Sequence, residues 1–213
     1  MNFDEFLLSI SKIKNIPLPA QASQFKMSPP FRLELLNMQK EAIKNARKAG
    51  VLALFYPNIQ HQTTLVLILR KTYNGVHSAQ VGFPGGKIET QDYSLKAAAL
   101  RETYEEIGVP VQQVEVLRQL TEVYIPPSNF YVQPFLGILK VTPKFIMQED
   151  EVEAIIEVPL SHFFDELSVT TRKVSTSYKV DAEVPAFKLN GHVVWGATAM
   201  ILSEIKDLLK QLL

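Results

Sequence analysis

The chain has 213 residues, of which 46% are hydrophobic and 21% charged, which is ample apolar material for one substantial core and too little for two full domains. Its 22 basic and 22 acidic residues cancel, so no overall field concentrates the protein on nucleic acid or anionic lipid, and any phosphate binding must come from a local site. The absence of cysteine excludes a disulfide framework, a thiolate metal site and a cysteine nucleophile.

Phe3, Phe6, Leu7, Ile10 and Ile13 recur at helical spacing until Pro17 and Pro19, which predicts a short amphipathic helix within an N-terminal helical extension over residues 1–30. Asp4 and Glu5 stand where a signal peptide would be basic, and no apolar run reaches the length of a membrane span, so the expected location is cytoplasmic. A second helix is expected over residues 31–49, with Leu35, Leu36, Ala42, Ile43 and Ala46 on one face and Gly50 as its C-terminal stop. From Val51 the texture turns to β, with short branched apolar runs at 51–56 and Thr63–Arg70 either side of Pro57-Asn58.

One long helical segment, residues 93–107, then interrupts the strands. Further strands are expected at 114–124, 130–140 and 152–158, with Pro126-Pro127 as a hard loop. Asn190-Gly191 between residues 186–189 and His192–Trp195 signals a hairpin, and residues 197–213 close the chain as a packed helix carrying Ile201, Ile205, Leu208, Leu209 and Leu212. Strands separated by single helices, with antiparallel hairpins among them, predict a mixed sheet sandwiched by helices.

The chemistry concentrates in Phe83-Pro84-Gly85-Gly86-Lys87 and in the end of the long helix. Glu102 and Glu106 are four residues apart and Glu105 is three from Glu102, so on a helix the three carboxylates share one face and can converge on one or two cations. All lie in the final turns before Gly108, where the helix dipole already places negative charge and each acid costs roughly 0.3–1 kcal/mol. Hard divalent cations offset that cost, and ligands made of oxygen alone suit magnesium or manganese better than zinc. Leu95, Ala98 and Ala99 lie further up the same face, which therefore looks inward, where unpaired carboxylates are expensive. Arg101 is placed to hold these acids or to orient a carboxylate from the preceding loop. Gly85-Gly86, stiffened by Pro84, let the backbone approach a ligand or metal closely.

The run from Gly86 to Val109 resembles the signature of the Nudix hydrolases: a glycine, a loop acid, then Arg-Glu-x-x-Glu-Glu-x-Gly. Asp92 stands where the usual pattern has glutamate, eight residues instead of seven separate it from Arg101, and Thr103 replaces an apolar residue. A second run, Leu69-Arg70 followed by His77-Ser78-Ala79-Gln80-Val81-Gly82-Phe83-Pro84-Gly85-Gly86, resembles the extra signature of the coenzyme A pyrophosphatase branch, which also tolerates the longer loop with Asp. Ser128-Asn129-Phe130-Tyr131-Val132-Gln133-Pro134 and Trp195-Gly196-Ala197-Thr198-Ala199 look like later segments of that branch, so the likeness runs from about Arg32 to the C-terminus.

The resemblance implies an α/β/α sandwich over residues 31–213 and a site for Mg²⁺ or Mn²⁺ formed by Glu102, Glu105 and Glu106 with the carbonyl of Gly86. It further implies that Glu105 or Glu106 serves as general base, with Arg101 holding the acids and Arg70, His77 and Gln80 binding substrate. The expected reaction splits coenzyme A or a derivative into 4′-phosphopantetheine and adenosine 3′,5′-bisphosphate. Two alternatives stay open: a pyrophosphatase for another nucleoside diphosphate derivative such as ADP-ribose, and a nucleotide-sensing Nudix domain without catalysis. The expected partner is a small-molecule nucleotide, with no nucleic acid and no membrane, and a homodimer is left open.

Overall fold

A computed structural model describes residues 1–72, 79–174 and 181–213. In chain order the helices are α1 (Phe3–Ile10), α2 (Ala20–Gln24), α3 (Arg32–Met38), α4 (Lys40–Ile43), α5 (Leu95–Ile107), α6 (Leu160–Phe164) and α7 (Gly196–Lys210). The strands are β1 (Arg47–Pro57), β2 (Thr63–Arg70), β3 (Val81–Gly82), β4 (Gly85–Lys87), β5 (Val114–Gln119), β6 (Val123–Ile125), β7 (Phe130–Leu139), β8 (Val152–Pro159), β9 (Val169–Val174), β10 (Ala182–Leu189) and β11 (His192–Trp195). No helix of the described residues is long and apolar enough to cross a membrane.

The expected mixed sheet is present. Strands β3, β2, β1, β7 and β5 lie side by side, β4 adds to β1, β6 to β7 and β8 to β2. The β1–β7 pair is parallel and the other pairs are antiparallel. β1 changes partner along its length, pairing with β4 at residues 49–51 and with β2 at residues 55–57. That change brings the glycine turn against the middle of the sheet. A separate three-stranded sheet, β11-β10-β9, includes the expected hairpin.

Alternation along β1 sorts its side chains to two faces. Leu52, Leu54 and Tyr56 pack with Ala99, Leu100 and Ile107 of α5. Ala49, Ala53 and Phe55 join Phe3, Phe6 and Ile10 of α1 and Ile201, Ile205 and Leu208 of α7 on the opposite face. Helices therefore cover both sides of the sheet, and the apolar stripe of residues 1–30 is spent inside this one core, where the Phe6 and Phe55 rings lie 5.3 Å apart.

The helix expected over residues 31–49 is corrected. The helical stretch is broken at Gln39 into α3 and α4 and ends at Ile43, and Arg47 already begins β1. Gly50 is no helix stop: it sits within β1 under α5, where an added Cβ would lie 2.0 Å from the Leu95 carbonyl oxygen. The demand for close helix–strand approach overrides its local reading as punctuation. The strand expected over 114–124 is likewise divided, into β5 and β6.

Candidate active site

Two elements meet at the site. The first is the turn into β4, where Gly85 takes a φ of +136° and an added Cβ would come within 2.4 Å of the Gly50 oxygen, so only glycine fits. The second is α5. Ser94 caps its start, accepting the Ala97 N–H at 3.1 Å, and Gly108 ends it in the left-handed conformation with φ +74°. Its last carbonyls are satisfied by the incoming chain, Ile146 N–H donating to Ile107 and Gln148 N–H to Glu106.

The structure brings Glu102 and Glu106 onto the glycine turn. A Cβ on Gly86 would lie 2.5 Å from the Glu102 carboxylate, so the missing side chain of Gly86 is the space that carboxylate fills. Glu106 is 1% exposed, and its Oε2 accepts the Gly85 N–H at 2.8 Å. Arg70, from β2, places Nη1 3.0 Å from Glu106 Oε1 and donates through Nη2 to the Gly85 carbonyl at 2.7 Å. The Nη1 contact is ionic but off the line of a hydrogen bond, leaving Oε1 a buried oxygen without a hydrogen-bond donor among the described residues. Burial pushes the Glu106 carboxyl up to about 7 against the opposing pull of Arg70, and burial likewise raises Glu102 against Arg101.

Glu105 lies apart from these two. Its side chain is 52% exposed and turned to Arg101, whose Nη1 it meets at 2.7 Å. Arg101 also reaches Glu102 at 3.0 Å, the Lys87 carbonyl at 3.2 Å, and both oxygens of Asp92, through Nε at 3.0 Å and Nη2 at 2.9 Å. It thus ties the preceding loop, β4 and two acids of α5 together. Asp92, which the sequence left without a role, is its firmest partner. A further acid escaped the sequence reading: the charge of Glu151 bears on both Glu102 and Glu106, and only the acidic run Glu149-Asp150-Glu151 hinted at it.

Among the described residues no three His, Asp or Glu side chains are gathered into a ready-made metal cage. The donor set nevertheless fits a hard cation. Four carboxylates, Asp92, Glu102, Glu105 and Glu106, face two guanidiniums, those of Arg70 and Arg101, which leaves negative charge in excess, and Glu106 keeps a buried oxygen without a donor.

Beside the glycine turn, on the sheet face away from α5, a cleft of about 250 Å³ opens. Ala49, Val51 and Val132 lie along it, Ala197, Thr198 and Ile201 of α7 form one wall, and Arg70, Gln80 and Lys87 bring polar groups. Arg70 and Gln80 are therefore brought together beside the acids, and the Gln80 carbonyl accepts the Arg70 N–H at 3.0 Å. His77 lies outside the described residues.

A mixed sheet between helices, with a carboxylate helix packed on a glycine turn beside a cleft, is an α/β architecture that presents its acids to a small ligand. The NUDIX domain family model matches residues 45–178. The uncharacterized Nudix hydrolase NudL of Salmonella paratyphi B is 36% identical over 185 residues, covering 82% of this chain and 88% of that protein, and NudL of Salmonella typhimurium matches to the same extent. A Nudix hydrolase from M. smegmatis, RenU, superposes with a TM-score of 0.54 at 12% identity over 79% of this chain and 88% of that one, a likeness of fold. The chain belongs to the Nudix hydrolase family, whose members generally use divalent metal ions.

Proposed function

We propose that this protein hydrolyses the diphosphate linkage of coenzyme A or a coenzyme A derivative, with Mg²⁺ or Mn²⁺, in the cytoplasm. The single observation that carries the reading is the packing of Glu102 and Glu106 against the Gly85-Gly86 turn, next to a cleft lined by Arg70 and Gln80. The coenzyme A choice is supported by the likeness of the Arg70 to Gly86 run to that branch.

In this reading Glu102, Glu105 and Glu106 would hold the cation. The carbonyl of Gly86 is a further ligand. When bound, the cation would supply charge neutralisation of the diphosphate and activation of the attacking water. Glu105 or Glu106 takes the proton from the attacking water, Arg101 holds the acids in place, and Arg70, Gln80 and His77 bind the substrate. Water adds across the P–O–P bridge, giving 4′-phosphopantetheine and adenosine 3′,5′-bisphosphate.

The test is a hydrolysis panel of coenzyme A, 3′-dephospho-coenzyme A and ADP-ribose with Mg²⁺, with Mn²⁺ and with chelator. The highest kcat/KM is expected for coenzyme A, with activity lost on chelation. Equal handling of all three removes the coenzyme A assignment and leaves a general Nudix pyrophosphatase. No turnover of any of them points to a sensing domain.

A further inference from the structure

The two oxygens of Glu106 are in different company. Oε2 is fixed by the Gly85 backbone N–H at 2.8 Å, whereas among the described residues Oε1 has only the ionic contact with Arg70, at 3.0 Å. Arg70 is itself divided. One end of its guanidinium is anchored on the Gly85 carbonyl at 2.7 Å, and its side chain, 26% exposed, also lines the cleft. A hard cation binds a carboxylate oxygen at about 2.1 Å. Placed on Oε1, it would stand against a guanidinium nitrogen 3.0 Å from the same oxygen, and two positive charges in a buried setting repel strongly. Each therefore weakens the hold of the other on that oxygen.

We propose that Arg70 is an exchangeable counter-ion: a divalent cation and the Arg70 guanidinium compete for Glu106 Oε1, and the displaced guanidinium turns into the cleft to meet the substrate's phosphates. The proposal rests on the metal-dependent reading of the site given above. It makes metal binding and diphosphate binding mutually reinforcing, because each gives Arg70 a reason to leave or stay away from Glu106, and such coupling is reciprocal. Arg70 is then a positioning residue for the metal as well as a ligand for substrate.

The experiment is a Mn²⁺ titration of wild type, Arg70→Met, Arg70→Lys and Glu106→Gln at pH 8, following the electron paramagnetic resonance signal of free Mn²⁺, with a thermal melt of each protein. Competition predicts that Arg70→Met binds Mn²⁺ about tenfold more tightly than wild type, the loss of one charge-assisted contact being of that order. Arg70→Lys, whose single ammonium cannot hold Glu106 and the Gly85 carbonyl equally well, shifts the same way by less and stands in should Arg70→Met not fold. With α,β-methylene-ADP present, and after correction for metal held by the nucleotide alone, wild type gains Mn²⁺ affinity and Arg70→Met does not. Weaker or unchanged Mn²⁺ binding in the Arg70 variants overturns the exchange, since a merely structural arginine gives that result. Unchanged Mn²⁺ binding in Glu106→Gln would instead overturn the metal site itself.

Discussion

Asp92 has a side chain one methylene shorter than glutamate and stands one residue further from Arg101 than the family pattern, yet both its oxygens meet the guanidinium. A tight turn makes up the difference: Asp92 N–H donates to the Glu89 carbonyl at 3.0 Å, and Glu89 N–H donates to Asp92 Oδ2 at 2.9 Å. The Arg101 hydrogen bonds hold the Asp92 carboxyl below its ordinary value of 3.8. A pKa that is lower in the folded than in the unfolded chain supplies stability above the unfolded value and loses it as pH falls through the folded one. Asp92→Asn is therefore expected to cost about 2 kcal/mol at pH 7, and the gap to wild type should close only below pH 3.8. Urea unfolding of both proteins between pH 3 and pH 7 measures it, and a gap that stays constant with pH would rule out the ion pair as its source. At the same scale, Glu106→Gln is expected to lower turnover at least about a hundredfold while the circular dichroism spectrum stays native, because the amide keeps the shape and removes the charge. The spacing of Glu102, Glu105 and Glu106 was legible in the sequence, but their unequal surroundings were not. Glu106 is buried by a glycine turn 21 residues away and Glu105 is drawn outward by Arg101, and helical periodicity reports neither.

Among elements, α5 and β2 were read nearly as they stand, β2 with the same ends: Gly108 marks the end of the helix and turn-forming Pro57-Asn58 precedes the strand, while the Ser94 cap, which starts the helix at Leu95 and not at residue 93, went unread. β9 was missed, since Thr170, Thr171, Arg172 and Lys173 show no apolar alternation in a strand whose side chains are mostly solvated. β3 and β4 span two and three residues, too few for any period to show. The reading of residues 31–49 as one helix failed for a different reason: Arg47, Lys48 and Ala49 suit helix as well as strand, and pairing with β7 decides for the strand. Two substitutions test what holds α5 in place. Ser94→Ala should cost about 1 kcal/mol by loss of the cap. Gly50→Ala should cost about 3 kcal/mol, because its Cβ would be driven against the Leu95 carbonyl, which belongs to backbone and has little room to yield. Chemical denaturation of the two variants checks the order. A Gly50→Ala protein as stable as wild type would mean that α5 can lift off β1 freely.

For the whole molecule, the first thirty residues behave as part of the core. Phe3, Phe6, Ile10, Ile13 and Met27 are all buried, and burying five such side chains stabilises by roughly 10 kcal/mol, the order of a whole domain's stability. A chain starting at Phe31 is accordingly expected to lose cooperative unfolding, read from a urea titration by circular dichroism. A sharp transition in the truncated protein would show that residues 1–30 are dispensable to the fold. Polar contacts join the same ends. Glu204 of α7, fully buried, accepts from Gln24 Nε2 at 2.8 Å and from the Thr121 hydroxyl at 2.7 Å, while Ser203 donates to the Ser23 carbonyl and Lys26 meets Asp207 at 2.6 Å. Gln24 and Glu204 are 180 residues apart in the chain. During synthesis α2 therefore leaves the ribosome 180 residues ahead of the helix position that fastens it. At about 5–20 residues per second, α2 waits roughly ten seconds or more for its partner. Over that interval the nascent chain carries an unclosed seam, which locks only once α7 has emerged.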